Sequence, residues 1–255
     1  RRADLITVQS LELREILLAK FGREHASKVR LTTFGSGRLD ELRRVPPPEE
    51  QRQFRTEHDL GDGPVVVVGH GSNPYDNHIP ILQSLTRLPE SLRKSISVVL
   101  PMGYGGSATY VARVRSLVPQ DVVRSVVIER VLNAWEISCL RHLTRVLVFA
   151  PESDALSGTV QETLFAGGTV IAGSWLPYGS RLRRRGLDLI DVDDFDSIPD
   201  AMVQAFNSTT VSPDRVAHTR KIVESLCDWS RVIDGWLAVY SEALKKPAQA
   251  GTVMS

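Results

Sequence analysis

Four consecutive valines, Val65 to Val68, open a series of short apolar runs that recurs at residues 96–100, 126–128, 146–149 and 169–172. A strand with one face in water alternates apolar and polar residues, whereas a strand that is apolar throughout needs cover on both faces. Helical spacing follows each run: Leu82, Leu85 and Leu88, then Tyr110, Val111, Val114 and Leu117, then Leu140 and Leu143, then residues 158–166. Repeated strand-then-helix units of this kind predict an α/β protein, a doubly wound parallel sheet of the Rossmann-like sort. In such sheets ligands sit beyond the carboxyl ends of the strands, so the loops at Gly69, Pro101, Glu129 and Pro151 are where a site is expected.

Composition narrows the function classes. The 255 residues are 42% hydrophobic and 24% charged, which suits a globular chain and not a disordered one. Lys and Arg number 31 against 30 Asp and Glu, a balance that gives no reason to expect nucleic acid as a partner. No apolar run approaches the ~18–20 residues of a membrane span. Cys139 and Cys227 are too few for a disulfide framework or a zinc site and point to a reducing compartment. The chain begins at Arg1 without methionine or a signal-peptide pattern, which suggests a fragment of something longer.

Ahead of the valine run, residues 5–8 read as a strand, Leu11–Phe21 as a helix behind Ser10, and residues 29–34 as a second strand. Pro46, Pro47 and Pro48 between charges mark the best candidate hinge. The expected organisation is residues 1–45 as the end of one domain, 46–63 as a linker, 64–215 as the Rossmann-like domain and 216–255 as closing helices and tail. Residues 187–190 are expected as a further strand.

Two loops carry the expected chemistry. Residues 69–74, Gly-His-Gly-Ser-Asn-Pro, leave a buried strand and enter a helix, so Gly71, Ser72 and Asn73 could bring backbone close to a phosphate. Neither a Walker A loop nor a GxGxxG pattern is present. After the strand at 146–149, a polar loop enters a helix at Ser157, Gly158 and Thr159, whose free N–H groups and dipole suit a diphosphate without a metal. Glu162, one turn in, could accept hydrogen bonds from ribose hydroxyls. Asp191, Asp193, Asp194 and Asp196 form two DxD patterns before a helix start and are read as solvated caps; no metal is implied. Trp135, Trp229 and Trp236 are expected in the core, and Trp175 with Tyr178 beside a sugar or acceptor pocket.

An acidic residue, seven residues, then Glu, here Asp154 to Glu162, resembles the donor-site signature of GT-B glycosyltransferases. That signature usually opens on Glu, where this chain has Asp154. Residues 69–79 and 101–105, the latter Pro-Met-Gly-Tyr-Gly, resemble a narrower group that moves 4-acetamido-4,6-dideoxygalactose from a dTDP donor to a lipid-linked precursor of enterobacterial common antigen. His70 stands where that group has Asn. The resemblance implies the C-terminal, donor-binding part of a GT-B enzyme with a remnant of its N-terminal, acceptor-binding domain. It implies transfer from a nucleotide sugar to a glycan or lipid-linked acceptor, independent of metal or other cofactor. Gly71, Ser72, Asn73, Tyr104, Ser157, Gly158, Thr159 and Glu162 are the donor-binding candidates, residues 129–132 could flank the base, and no catalytic residue is assigned. A lipid-linked acceptor would give Arg181, Arg183, Arg184 and Arg185 a use in contacting anionic lipid, placing the protein in the cytoplasm at the inner membrane face. A non-catalytic nucleotide-binding module and a GT-B-type nucleotide-sugar epimerase are the alternatives.

Overall fold

The computed structural model describes residues 3–118, 123–187, 189–208 and 212–245. A small N-terminal unit comes first: β1 (Ile6–Val8), α1 (Leu11–Phe21) and β2 (Val29–Leu31), the two strands parallel. Ser10 caps α1 by accepting the Leu13 N–H at 3.1 Å. Val8, Leu18 and Val29 form this unit's own small core. Two helices, α2 (Leu39–Arg43) and α3 (Pro48–Glu57), lead to the main body.

That body is a six-stranded, wholly parallel sheet in the order β5-β4-β3-β6-β7-β8. Its strands are β3 (Val65–Val68), β4 (Ser97–Pro101), β5 (Arg124–Ile128), β6 (Thr144–Phe149), β7 (Thr169–Gly173) and β8 (Ile190–Val192). The helices between them are α4 (His78–Leu85), α5 (Glu90–Ser95), α6 (Ala108–Leu117), α7 (Ala134–Leu143), α8 (Gly158–Ala166) and α9 (Ile198–Asn207). Asn133 and Glu136 form the expected capping box at the start of α7. Successive side chains of a strand point to opposite faces. Thus Val65 and Val67 enter a core with α2, α3, α7 and α8, while Val66 and Val68 enter a second core with α4, α6 and α9. Two cores explain why the strands carry no polar face.

The proline run is not an open linker. Pro48 begins α3, where a missing N–H costs nothing, and Phe54 lies fully buried in the sheet's core. The strand expected at 187–190 is displaced to β8, and Asp188 lies outside the described residues. The closing segment is α10 (Pro213–Cys227) and α11 (Trp229–Lys245), broken where Asp228 accepts the Ser230 N–H at 2.9 Å. From α11, Trp236 donates Nε1–H to the Thr33 carbonyl at 2.8 Å, fastening the N-terminal unit to the body. Trp229, expected in the core, is 41% exposed, because α11 covers a two-stranded unit and not the main sheet.

Candidate donor-binding site

The strand order reverses direction between β3 and β6, and the crevice past their carboxyl ends is the topological switch point. A cavity of about 470 Å³ opens there. The β3–α4 loop contributes His70, the β4–α6 loop Gly103 and Tyr104, and the β5–α7 loop Arg130, Val131 and Leu132. Asp154 to Thr159 and Glu162 form another wall, with Arg141 of α7 and Arg38 ahead of α2. A second cavity of about 290 Å³ shares Gly158, Glu162 and Arg38 and is closed by Phe34 to Gly37.

The start of α8 is open to this space. A Cβ placed on Gly158 would meet only the Glu162 carboxylate, at 3.7 Å. Ser157, the residue before the helix, is buried and its Oγ has no hydrogen-bond partner. Behind it, Arg141 and Glu162 form a buried pair, Nε to Oε2 at 3.1 Å, with side chains 6% and 9% exposed. Arg141 also donates from Nη2 to Thr159 Oγ1 at 3.1 Å, and its Nη1 has no partner. Glu162 Oε1 accepts from Ser36 Oγ at 3.4 Å. A carboxylate has room for about four hydrogen bonds, so Glu162 retains acceptor capacity beyond these two.

The first loop is built differently from its sequence reading. Gly71, Ser72 and Asn73 do not line the cavity. Ser72 donates its Oγ–H to the Tyr104 carbonyl at 2.8 Å and its N–H to the same oxygen at 3.0 Å. Asn73 is engaged in capping the short turn Pro74–Asp76. The glycines here serve loop-to-loop approach: a Cβ on Gly106 would overlap the Ser72 carbonyl, and one on Gly103 the Arg130 carbonyl. His70 is the member that reaches the cavity, its ring 5.4 Å from that of Phe149 and 5.9 Å from that of Tyr104. Asp76 faces it, Oδ1 to His70 Nδ1 at 3.7 Å. Burial raises the Asp76 carboxyl above its usual range, with His70 pulling the other way.

The structure brings Tyr104, Ser157, Gly158, Thr159 and Glu162 to one cavity, and adds His70, Arg38 and Arg141. Arg141 left one signal in the sequence: a charged residue beside Cys139 and Leu140 on the inward stripe of α7. Its partner Glu162, 21 residues away, had no such signal. Asp154 accepts from the Tyr178 hydroxyl at 2.6 Å, and burial raises its carboxyl while this bond lowers it. Tyr178, expected at a sugar pocket, is wholly buried; Trp175 is half-exposed and donates to the Pro151 carbonyl at 2.8 Å.

The DxD segments are capped and paired as expected. Asp194 accepts the Ser197 N–H at 2.8 Å ahead of α9, Asp193 accepts from Ser174 Oγ at 2.6 Å, and Asp191 pairs with Arg183. Among the described residues, Glu57, His58 and Glu136 bring ligand-type atoms within 4.8 Å of one another. Arg130 already occupies both Glu136 oxygens. The arginine cluster is a single 3₁₀ turn, Arg183–Arg185, and not a helix. Arg184 pairs with Glu12 at 3.3 Å, and Arg181 donates to the Gln9 carbonyl at 2.6 Å, so these charges serve to hold the N-terminal unit. No helix among the described residues is long and apolar enough to cross a membrane.

No family model and no curated protein matches the sequence. Solved structures do match its fold. A glycosyltransferase from Rickettsia africae superposes with a TM-score of 0.73 at 14% identity, over 96% of this chain and 64% of that one. HepE from Anabaena, solved with UDP and glucose, gives 0.74 at 12% identity, over 94% and 64%. Sucrose-phosphate synthase from Thermosynechococcus elongatus gives 0.69 at 17%, over 95% and 59%. The fold is that of GT-B glycosyltransferases. This chain spans less than two thirds of the length of these neighbours.

Proposed function

We propose that this chain is the donor-binding part of a glycosyltransferase that takes its sugar from a nucleoside diphosphate and passes it to a glycan or lipid-linked acceptor. The observation that carries this reading is the set of unused donors around one cavity. The first N–H groups of α8, Ser157 Oγ and Arg141 Nη1 converge on a space at the switch point of the sheet. A diphosphate supplies acceptors for all of them, and gains from the helix dipole. Transfer builds negative charge on the leaving diphosphate, and donors already fixed by packing stabilise that charge without reorganising. In this arrangement no metal is called upon.

Glu162 takes ribose hydroxyls on its remaining lone pairs, while Arg141 keeps its charge balanced. The base lies against Arg130, Val131 and Leu132, beyond the end of β5. Tyr104, 54% exposed at the cavity rim, is placed to meet the sugar or the acceptor. Structural neighbours that were solved with UDP and glucose, or with UDP-glucose, support a nucleotide sugar as the ligand class. Titration of UDP, dTDP and GDP by calorimetry tests the reading. Saturable binding that disappears in Glu162→Ala and in Gly158→Trp is the expected result; binding indifferent to both substitutions would overturn it.

A further inference from the structure

We propose that His70 is the titratable contact to the donor's diphosphate, and that the buried carboxylate of Asp76 positions it for that contact. The inference rests on the donor reading of this cavity and adds a pH-dependent residue to it.

The His70 side chain is 22% exposed, lines the cavity with Ser157, Gly158 and Arg141, and stands between the rings of Phe149 and Tyr104. Its Nδ1 is buried and faces Asp76 Oδ1 at 3.7 Å, an ion-pair separation. Asp76 is 1% exposed, and that oxygen has no other hydrogen-bond partner. A buried carboxylate oxygen served by nothing except an imidazole is costly unless the imidazole answers it. With Nδ1–H turned to Asp76, the ring's other nitrogen lies on the far side from the carboxylate. Protonated there, it offers a charge-assisted hydrogen bond to a phosphate oxygen.

The charged and titratable groups around the ring come from several elements. Asp76 belongs to the turn after β3, Asp154 to the β6–α8 loop, Tyr104 to the β4–α6 loop, His78 to α4 and Arg141 to α7. Two carboxylates and one guanidinium therefore set the local field. Arg141 is committed to Glu162 and Thr159 through two of its three nitrogens, which leaves His70 as the cavity cation whose charge follows pH.

The test is calorimetric titration of the full chain with UDP-glucose and with uridine between pH 6 and 8, the window in which imidazole titrates. The diphosphate diester of UDP-glucose carries no proton in that window, and uridine carries no phosphate; dTDP-glucose with thymidine, or GDP-mannose with guanosine, replace them if their nucleotides bind more tightly. Expected is a loss of about tenfold in nucleotide-sugar affinity from pH 6 to 8, with the nucleoside unaffected. His70→Asn and His70→Gln bring the low-pH affinity down to the high-pH level and flatten the profile, with thermal midpoints near that of the parent. Asp76→Asn moves the midpoint of the profile to lower pH, a shift that a merely structural role would not produce. A nucleotide-sugar affinity that is lost in Gly158→Trp yet keeps the same pH profile in His70→Asn overturns this proposal and leaves the donor reading standing. Absence of nucleotide-sugar binding at every pH overturns both.

Discussion

Removing the Arg141 guanidinium tests whether the floor of the cavity is a buried ion pair or an incidental contact. Both side chains are more than nine-tenths buried, the pair closes at 3.1 Å, and a second bond at 3.1 Å ties Arg141 to Thr159. Arg141→Met keeps most of the aliphatic volume and leaves the Glu162 carboxylate buried without its cation. Such a break costs about 3–5 kcal/mol, against about 0–1 kcal/mol for an exposed pair. In a chain of this size that corresponds to a fall in the melting midpoint on the order of 10 °C. Removing both charges, in Arg141→Met with Glu162→Gln, restores most of the loss, because no unpaired charge remains; the expected coupling is about 2 kcal/mol or more. Urea unfolding followed by tryptophan fluorescence measures all three variants. A single-variant cost below about 1 kcal/mol, or a double variant as unstable as the sum of the singles, would refute the reasoning.

Phe54→Ala is expected to cost about 3–5 kcal/mol in the same assay, since Phe54 is fully buried where an open linker would tolerate the change. Gly106→Ala is expected to lower the melting midpoint by forcing the β4–α6 loop off the Ser72 carbonyl, whereas Gly158→Trp removes nucleotide affinity with little change in that midpoint, because its side chain enters open space. His78 is fully buried and burial pulls its imidazole from 6.5 to about 4, so the folded state holds it neutral; stability falls as pH drops from about 6.5 towards 4, and His78→Gln flattens that part of a denaturation-versus-pH curve. Glu136 is held at about 2, chiefly by its bond to Arg130, below its usual 4.5; the stability it contributes is present above pH 4.5 and lost as pH falls towards 2, and Glu136→Gln removes that acid-dependent portion.

The parallel sheet was legible because its cause is local. A strand covered on both faces has nowhere to put a polar side chain, so β3, β4, β6 and β7 announce themselves as apolar runs, and β5 does so in part. The open first turn of α8 was legible for the same reason: Ser157, Gly158 and Thr159 follow a strand and start a helix, and free N–H groups at that point need no distant partner. Residues 48–57 misled because proline punctuates a chain equally well at a hinge and at the first turn of a helix.

Tertiary structure decided what each polar side chain meets. Gly71, Ser72 and Asn73 have the composition of a ligand-binding loop, yet the approach of Tyr104 and Gly106 turns them inward and leaves His70 facing the cavity. Glu162 could be placed on its helix from sequence, but its engagement by Arg141 depends on how α7 packs against α8. The arginines after Tyr178 read as a free basic face until Glu12, Gln9 and Asp191 arrive from distant elements to meet them. Periodicity records whether a position faces apolar or aqueous surroundings, one residue at a time; a hydrogen bond or an ion pair belongs to two positions, and only the folded chain brings them together.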